Sequence, residues 1–142
     1  MTNDNYPTPD WLMDLFKGYF DPCPLYGEKG GLELDWLDYN YVNPPYSNPS
    51  PWVDKAIVEA NKGKVVVMLL PVDTSTKWFA KLIEAKAHIF WSNGRIRFTE
   101  SPPRFASMLV ILNKNDNSMT SIKDNKSAGL YTTLNKNRNE YG

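Results

Sequence analysis

The chain has 142 residues, of which 42% are hydrophobic and 23% are charged, and its 16 basic and 16 acidic side chains cancel. We expect one globular domain in the cytoplasm, since the chain has no basic-then-apolar leader and no apolar run near the roughly 20 residues that cross a bilayer. Because Cys23 is the single cysteine and His88 the single histidine, disulfides and a zinc site of soft ligands are excluded, and no metal is expected.

Three segments carry apolar side chains at helical spacing and are predicted helices. Each begins at a polar capping residue, which a proline follows in the first two: Thr8 with Pro9, Ser50 with Pro51, and Thr74 or Ser75. Gly18 and Gly63 are predicted to end the first two helices. The apolar faces are formed by Trp11, Leu12, Leu15 and Phe16, then Val53, Ala56, Ile57 and Ala60, and then Trp78, Phe79, Leu82 and Ile83.

Short apolar runs between these segments are predicted strands, at residues 19–21, 39–42, 64–71, 87–91, 95–98 and 106–112. The run at 64–71 is typical of a strand buried on both faces. A turn containing Asn93-Gly94 joins 87–91 to 95–98. Helices alternating with strands predict an α/β fold with a mixed sheet, in which the closing strands form an antiparallel edge.

The chain divides at residue 112 into a compact domain, residues 1–112, and a polar C-terminal tail, residues 113–142. Asn, Lys and Ser dominate the tail and its hydrophobic periodicity is lost. We expect the tail to be weakly ordered or to attach to the edge of the sheet.

Two proline-containing motifs each follow a predicted strand. Asp21-Pro22-Cys23 follows the first strand, and Asn43-Pro44-Pro45-Tyr46 follows the second. In open α/β sheets ligands bind beyond the carboxyl ends of the strands, so the two motifs are expected to lie near each other at that edge. Asp21 is a candidate anchor for the charged end of a cofactor, with Glu33 or Asp35 as acceptors for ribose hydroxyls.

The Asn-Pro-Pro-Tyr loop suits methylation of the exocyclic amine of adenine, whose lone pair is delocalised into the ring. Two acceptors that take the amine hydrogens release that lone pair, and the Asn43 side-chain oxygen and the Pro44 carbonyl are such a pair. Pro44 and Pro45 make the loop rigid, and Tyr46 offers a stacking face for a base that has left the duplex. The same string is also typical of a strand end followed by a turn.

The second half of the chain is the more basic, with a net charge of −7 over residues 1–60 and +7 over residues 61–142. Such asymmetry fits a surface that meets DNA phosphates, and fits ordinary solvated surface equally well. The candidate DNA contacts are Ser47, Lys77, Arg95, Arg97 and Arg104. Alternation along 95–98 would instead leave the arginines in water while Ile96 and Phe98 face the core.

Eight short motifs follow one another along residues 6–112. They are Thr8-Pro9 with Trp11-Leu12, Phe20-Asp21-Pro22-Cys23, Gly31-Leu32 with Trp36, Tyr41-Val42-Asn43-Pro44-Pro45-Tyr46-Ser47, Trp52-Val53-Asp54-Lys55-Ala56, Leu69-Leu70-Pro71 with Thr74 and Trp78-Phe79, Gly94-Arg95-Ile96-Arg97-Phe98, and Ser107-Met108-Leu109-Val110. In this order they resemble the phage-type Dam family of DNA adenine methyltransferases.

The resemblance implies a reduced Rossmann-like methyltransferase fold that uses S-adenosylmethionine, releases S-adenosylhomocysteine and acts on a flipped-out adenine in DNA. It places cofactor binding near Pro7, Thr8, Pro9 and residues 21–23, with Asn43 adjoining, and catalysis in residues 43–46. The chain departs from methyltransferases after Asp21, where residues 24–31 replace the usual glycine-rich turn and 22 positions lead to Asn43. This departure falls in the segment that would carry the ribose contact.

Other interpretations of the loop stay open. An Asn-Pro-Pro-Tyr loop also suits an amine in RNA or the side-chain amide of glutamine in a protein, and a degenerate domain would bind cofactor or DNA without turnover. We expect no separate target-recognition domain, so specificity would come from loops such as residues 92–104 or from a partner subunit. A domain of this size is a candidate for homodimerisation.

Overall fold

A computed structural model describes residues 7–24, 30–92, 106–114 and, as backbone, 130–131. The helices are α1 (Asp10–Met13), which continues as a 3-10 turn (Asp14–Phe16), α2 (Ser50–Asn61) and α3 (Lys77–Glu84). The strands are β1 (Tyr39–Val42), β2 (Val65–Pro71), β3 (His88–Ser92), β4 (Ser107–Asn113) and β5 (Leu130–Tyr131). The predicted strand 95–98 and its Asn93-Gly94 turn lie outside the described residues.

The strands form one mixed sheet in the order β1-β2-β4-β3-β5. β1 and β2 are parallel, β4 is antiparallel to both β2 and β3, and β5 is antiparallel to β3. The predicted α/β class is confirmed, but the expectation that the closing strands form the edge is wrong for β4, which lies inside the sheet. Residues 107–112 are all buried. This is expected of a strand that has neighbouring strands on both edges and is covered on both faces.

Two short segments lie at the two edges of the sheet. Residues 19–21, predicted as a strand, contribute one parallel bridge, in which Phe20 pairs with Asn40 beside β1. Leu130–Tyr131 pairs with β3, so this part of the predicted tail is attached to the sheet edge. The proposed division of the chain at residue 112 stays a prediction.

The core has two halves, one on each face of the sheet, because successive side chains of a strand point to opposite faces. Val66, Met68 and Leu70 of β2 face α2 and α3, where Trp78 and Leu82 pack against them. The alternate β2 residues lie on the other face, which is covered by Leu12 of α1 and by Phe16. The predicted burial of this strand on both faces is confirmed.

The predicted helix starts are wrong by one or two residues. Pro9 and Pro49 occupy the capping positions of α1 and α2, and neither helix has a side-chain cap. In α3 the cap is Thr76, whose hydroxyl accepts a hydrogen bond from Phe79 N at 3.2 Å. Four successive residues at 73–76 are able to cap, so local sequence does not distinguish them. Gly63 ends α2 as predicted, with φ of 99°.

A buried carboxylate joins α2 to the loop before β1. Glu59 is fully buried, and its Oε1 accepts hydrogen bonds from Trp36 N at 2.6 Å and from Lys64 Nζ at 2.8 Å. Lys62 Nζ lies 2.7 Å from Oε2. Burial by itself raises the pKa of Glu59, but hydrogen bonds from Lys62, Lys64 and Trp36 N outweigh it and lower the pKa to about 2.

Replacing this carboxylate by Glu59→Gln is expected to lower the free energy of unfolding by about 2 kcal/mol at pH 7, because it removes the charge that compensates the lysines. The pKa is depressed from 4.5, so the contribution is present above pH 4.5 and is lost as the pH falls towards 2. Urea unfolding should therefore show the difference between wild type and variant shrinking from pH 7 to pH 2.5. Glu84→Gln, on an exposed residue of α3, is the control. A difference that does not change with pH would contradict this role.

Candidate active site

The two proline motifs meet at one edge of the sheet. Phe20 N donates to Tyr39 O at 2.9 Å, and Tyr41 N donates to Phe20 O at 2.8 Å. This parallel register, Phe20 beside Asn40, pairs the strand end before Asp21 with β1. Adjacent strands lie about 4.8 Å apart, so the two strand ends lie side by side at this edge, and a shared site of the Asp21 turn with Asn43 stays a prediction.

The Asn43 side chain is held by Thr8, from the segment that precedes α1. Asn43 Nδ2 donates to Thr8 Oγ1 at 3.2 Å, and the same hydroxyl lies 3.1 Å from the Tyr41 hydroxyl. With its nitrogen directed at Thr8, the amide directs its oxygen to the other side. The sequence did not predict this contact, because it joins residues 35 positions apart, and the roles predicted for Thr8 were a helix cap and a cofactor contact.

The rest of the loop is fixed by packing and by a long-range contact of Tyr46. Pro44 is buried and Pro45 is half-buried, and the Pro45 carbonyl accepts from Asn48 N at 3.1 Å just before α2. The Tyr46 hydroxyl lies 3.4 Å from Ser107 Oγ at the buried start of β4. The loop is therefore tied to the sheet at both ends, which is the rigidity that an acceptor pair requires.

The Asp21 turn is compact and partly shielded. Asp21 Oδ1 accepts a hydrogen bond from Cys23 N at 2.9 Å, and Pro22 between them is buried. Asp21 is exposed at its surface, but partial desolvation in the turn raises its pKa, and the hydrogen bond from Cys23 N counters this in part. Burial, together with the nearby Asp21, raises the pKa of the Cys23 thiol to about 11. The thiol is therefore protonated at neutral pH and unsuited to nucleophilic attack.

Gly31 packs directly on this turn from the loop that leads to β1. A Cβ at Gly31 would lie 1.9 Å from the Pro22 carbonyl oxygen and 3.0 Å from Trp52. The Gly31 carbonyl accepts from Trp36 Nε1 at 2.7 Å, and Trp36 stacks on Trp52 with ring centroids 6.5 Å apart. The loop at residues 30–37 thus supports the Asp21 turn by packing against Pro22.

The predicted ribose acceptors, Glu33 and Asp35, are both exposed in this loop. Asp35 Oδ1 lies 3.6 Å from Lys62 Nζ, at the end of α2 where the chain enters β2. Asn43 follows the opposite end of the β1-β2 pair. The structure therefore does not bring Asp35 together with Asn43, and a ribose contact by either acid stays a prediction.

The predicted DNA contacts are described only in part. Ser47 is exposed in the turn after Tyr46, and Lys77 is exposed at the first residue of α3, beyond the end of β2. Both therefore lie on the side of the sheet where the Asn43 loop lies. Arg95, Arg97 and Arg104 lie outside the described residues, and their role stays a prediction.

A family model described as DNA N-6-adenine-methyltransferase (Dam) matches residues 23–131, which include the Asn43 loop and all five strands. The chain belongs to the Dam family. The matched range begins after Thr8 and Asp21, so it does not include them. It continues past residue 112, where the motifs recognised in the sequence end. No solved structure is significantly similar to the chain.

Two curated relatives, both from phages, are named DNA N-6-adenine-methyltransferase. The one from Haemophilus phage HP1 (strain HP1c1) is 38% identical over 114 residues, which cover 67% of this chain and 66% of that relative. The one from Escherichia phage T1 is 43% identical over 70 residues, which cover 47% of this chain and 29% of that relative. The chain thus spans less than two thirds of the length of each.

Two other kinds of site are absent from the described residues. Among the helices in the part that the structure describes, none combines the length and apolar character of a membrane span. The same ranges contain no group of three or more His, Cys, Asp or Glu side chains placed to hold a metal ion.

Proposed function

We propose that this chain transfers a methyl group from S-adenosylmethionine to the exocyclic amine of adenine in DNA. One observation carries the proposal: the Asn43 amide, which donates through its nitrogen to Thr8, lies beside a proline pair at the end of β1, with its oxygen shielded from bulk water. Membership of the Dam family and the names of the two phage relatives support the same activity.

In this proposal the Asn43 loop releases the amine lone pair. The Asn43 oxygen and the Pro44 carbonyl accept the two amine hydrogens, which favours a tetrahedral nitrogen with its lone pair pointing at the methyl donor. Tyr46 stacks on the base after it leaves the duplex. A general base of shifted pKa is unnecessary, because the proton leaves after the nitrogen has become cationic.

The residues around Asp21 fit the cofactor by the chemistry of the donor set. A carboxylate at a strand end, with one oxygen engaged by Cys23 N, is suited to accept hydrogen bonds from an ammonium group. When bound, S-adenosylmethionine supplies a methyl group already activated by the sulfonium. Pro7, Thr8, Pro9, Asp21, Pro22 and Cys23 are the residues that we propose to hold it, next to Asn43. The arrangement would be that of a reduced Rossmann-like methyltransferase fold.

Transfer of label tests the proposed substrate. Purified protein is incubated with S-adenosylmethionine labelled on its methyl group and with duplex DNA, single-stranded DNA, RNA or a protein mixture, and the product is identified after hydrolysis. We expect N6-methyladenine from DNA. Label in RNA or in protein glutamine would show that adenine in DNA is not the substrate. Cofactor binding without any methylated product would indicate a degenerate domain.

Tyr46→Ala is expected to lower turnover about tenfold or more while changing cofactor affinity less than threefold, because the lost stacking face serves the base. Methylation rates at saturating cofactor and calorimetric cofactor affinity measure the two effects. Tyr46→Phe is the matched control, since it keeps the ring and removes the contact with Ser107. A loss of cofactor affinity as large as the loss of turnover would show that Tyr46 has been assigned to the wrong ligand.

A further inference from the structure

The Thr8 hydroxyl stands between two side chains of the site. It lies 3.2 Å from Asn43 Nδ2 and 3.1 Å from the Tyr41 hydroxyl. Thr8 is half-buried and Tyr41 is 3% exposed, so water competes weakly for these contacts. Tyr41 packs against Phe16, with ring centroids 5.4 Å apart, and this contact fixes the position of its ring.

The reaction proposed above depends on which way the Asn43 amide faces. A half-turn about the last side-chain bond of Asn43 exchanges its oxygen for its NH2 group, and an NH2 group cannot accept a hydrogen from the adenine amine. The contact with Thr8 favours one orientation, since it directs the nitrogen at the hydroxyl and the oxygen away from it.

A hydroxyl alone would permit both orientations, because it donates as well as accepts. Thr8 has one hydroxyl hydrogen. If that hydrogen is donated to the Tyr41 oxygen, Thr8 has only lone pairs to offer to Asn43, and only the amide nitrogen can face it. With the Thr8 hydrogen donated in this direction, Tyr41 determines which end of the amide faces Thr8.

We propose that Thr8 is a positioning residue for methyl transfer: it donates to Tyr41, accepts from Asn43 Nδ2, and so holds the Asn43 oxygen towards the adenine amine. This inference rests on the proposed function and deepens it. In this role the Thr8 hydroxyl serves Asn43 and Tyr41, so a contact of Thr8 with the cofactor would be made by its backbone or methyl group.

Thr8→Val, which keeps the shape and removes the hydroxyl, tests the proposal. At saturating DNA and cofactor its kcat should fall about 10- to 100-fold, while the dissociation constants for cofactor and DNA change less than threefold. Thr8→Ser keeps the hydroxyl and should restore kcat to within about threefold of wild type. Tyr41→Phe should lower kcat less than Thr8→Val does. The double variant should have the same kcat as Thr8→Val, since both substitutions act through the Thr8 hydroxyl.

A second readout is independent of turnover. In protein labelled with 15N on asparagine, the Asn43 side-chain resonance, assigned by its loss in Asn43→Ala, should show slow exchange with water in wild type and in Thr8→Ser. Exchange should be about tenfold faster in Thr8→Val. Unchanged exchange, a kcat within twofold of wild type, or a loss confined to cofactor affinity would each overturn the proposal for Thr8.

These outcomes are distinguishable from failure of the proposed function. If wild-type protein methylates adenine and Thr8→Val does so equally well, the positioning role alone fails. If wild-type protein methylates no adenine, the proposed function fails, and the role of Thr8 in that reaction fails with it.

Discussion

Asn43→Ala is expected to lower the rate of adenine methylation about 100- to 1000-fold. The alanine removes one of the two acceptors that release the lone pair of the amine, and removal of one preorganised electrostatic contact in an active site costs rates of this order. Cofactor affinity should change less than tenfold, because Asp21 and its turn are unaltered. Single-turnover methylation of DNA and calorimetric titration of cofactor measure the two quantities.

Two further variants sharpen this result. Asn43→Asp keeps an acceptor but cannot donate to Thr8, so its loss should be about that of Thr8→Val and smaller than that of alanine. Asn61→Ala, on an exposed residue at the end of α2, is the matched control and should be as active as wild type. An Asn43→Ala enzyme that retains a third of the wild-type rate would overturn the assignment of the loop.

Gly31→Ala is expected to lower the free energy of unfolding by about 3 kcal/mol, which is large for the addition of one methyl group. The new Cβ would lie 1.9 Å from the Pro22 carbonyl oxygen, and backbone cannot move aside as the end of a flexible side chain can. The displaced Pro22 carries the Asp21 turn with it, so cofactor affinity should fall as well. Urea unfolding and cofactor titration provide the measurements.

Gly18→Ala separates this steric effect from the general effect of replacing a glycine. Gly18 has φ of 89°, and a Cβ at this position would have nothing within 4 Å of it. The alanine there meets backbone strain alone and should cost about 1 kcal/mol. Equal losses of stability at the two positions would show that Gly31 does not support the Asp21 turn.

Local patterns predicted the elements of this fold well. β1 has the bounds predicted from its apolar run, and the Val/Leu-rich run became a strand buried on both faces. These features depend on residues close in sequence, where periodicity and proline positions act. The strand order could not be predicted from these local patterns, because it depends on pairs such as Val65 with Asn113, which are far apart in sequence.

The sequence indicated at which edge of the sheet the candidate site lies, but not the contacts that support the Asn43 loop. Prolines after two strands indicated a shared edge, and the bridge between Phe20 and Asn40 confirms that these strand ends are adjacent. The contacts of Thr8 and Tyr46 join segments 35 and 61 positions apart, so the sequence gives no direct sign of them. Glu59 had a usable signal: it stands three residues after Ala56 on the apolar face of α2 and close to several lysines.

The interior position of β4 has a consequence for how the chain folds. Until residues 107–113 have been synthesised, β2 can pair with β1 but has an open edge on its other side, where Val65 will later meet Asn113. The connection between the two strands carries α3 and β3, so the central pairing joins residues far apart in sequence and is expected to be slow. The centre of the sheet, including the anchor of Tyr46 on Ser107, is therefore completed late in folding.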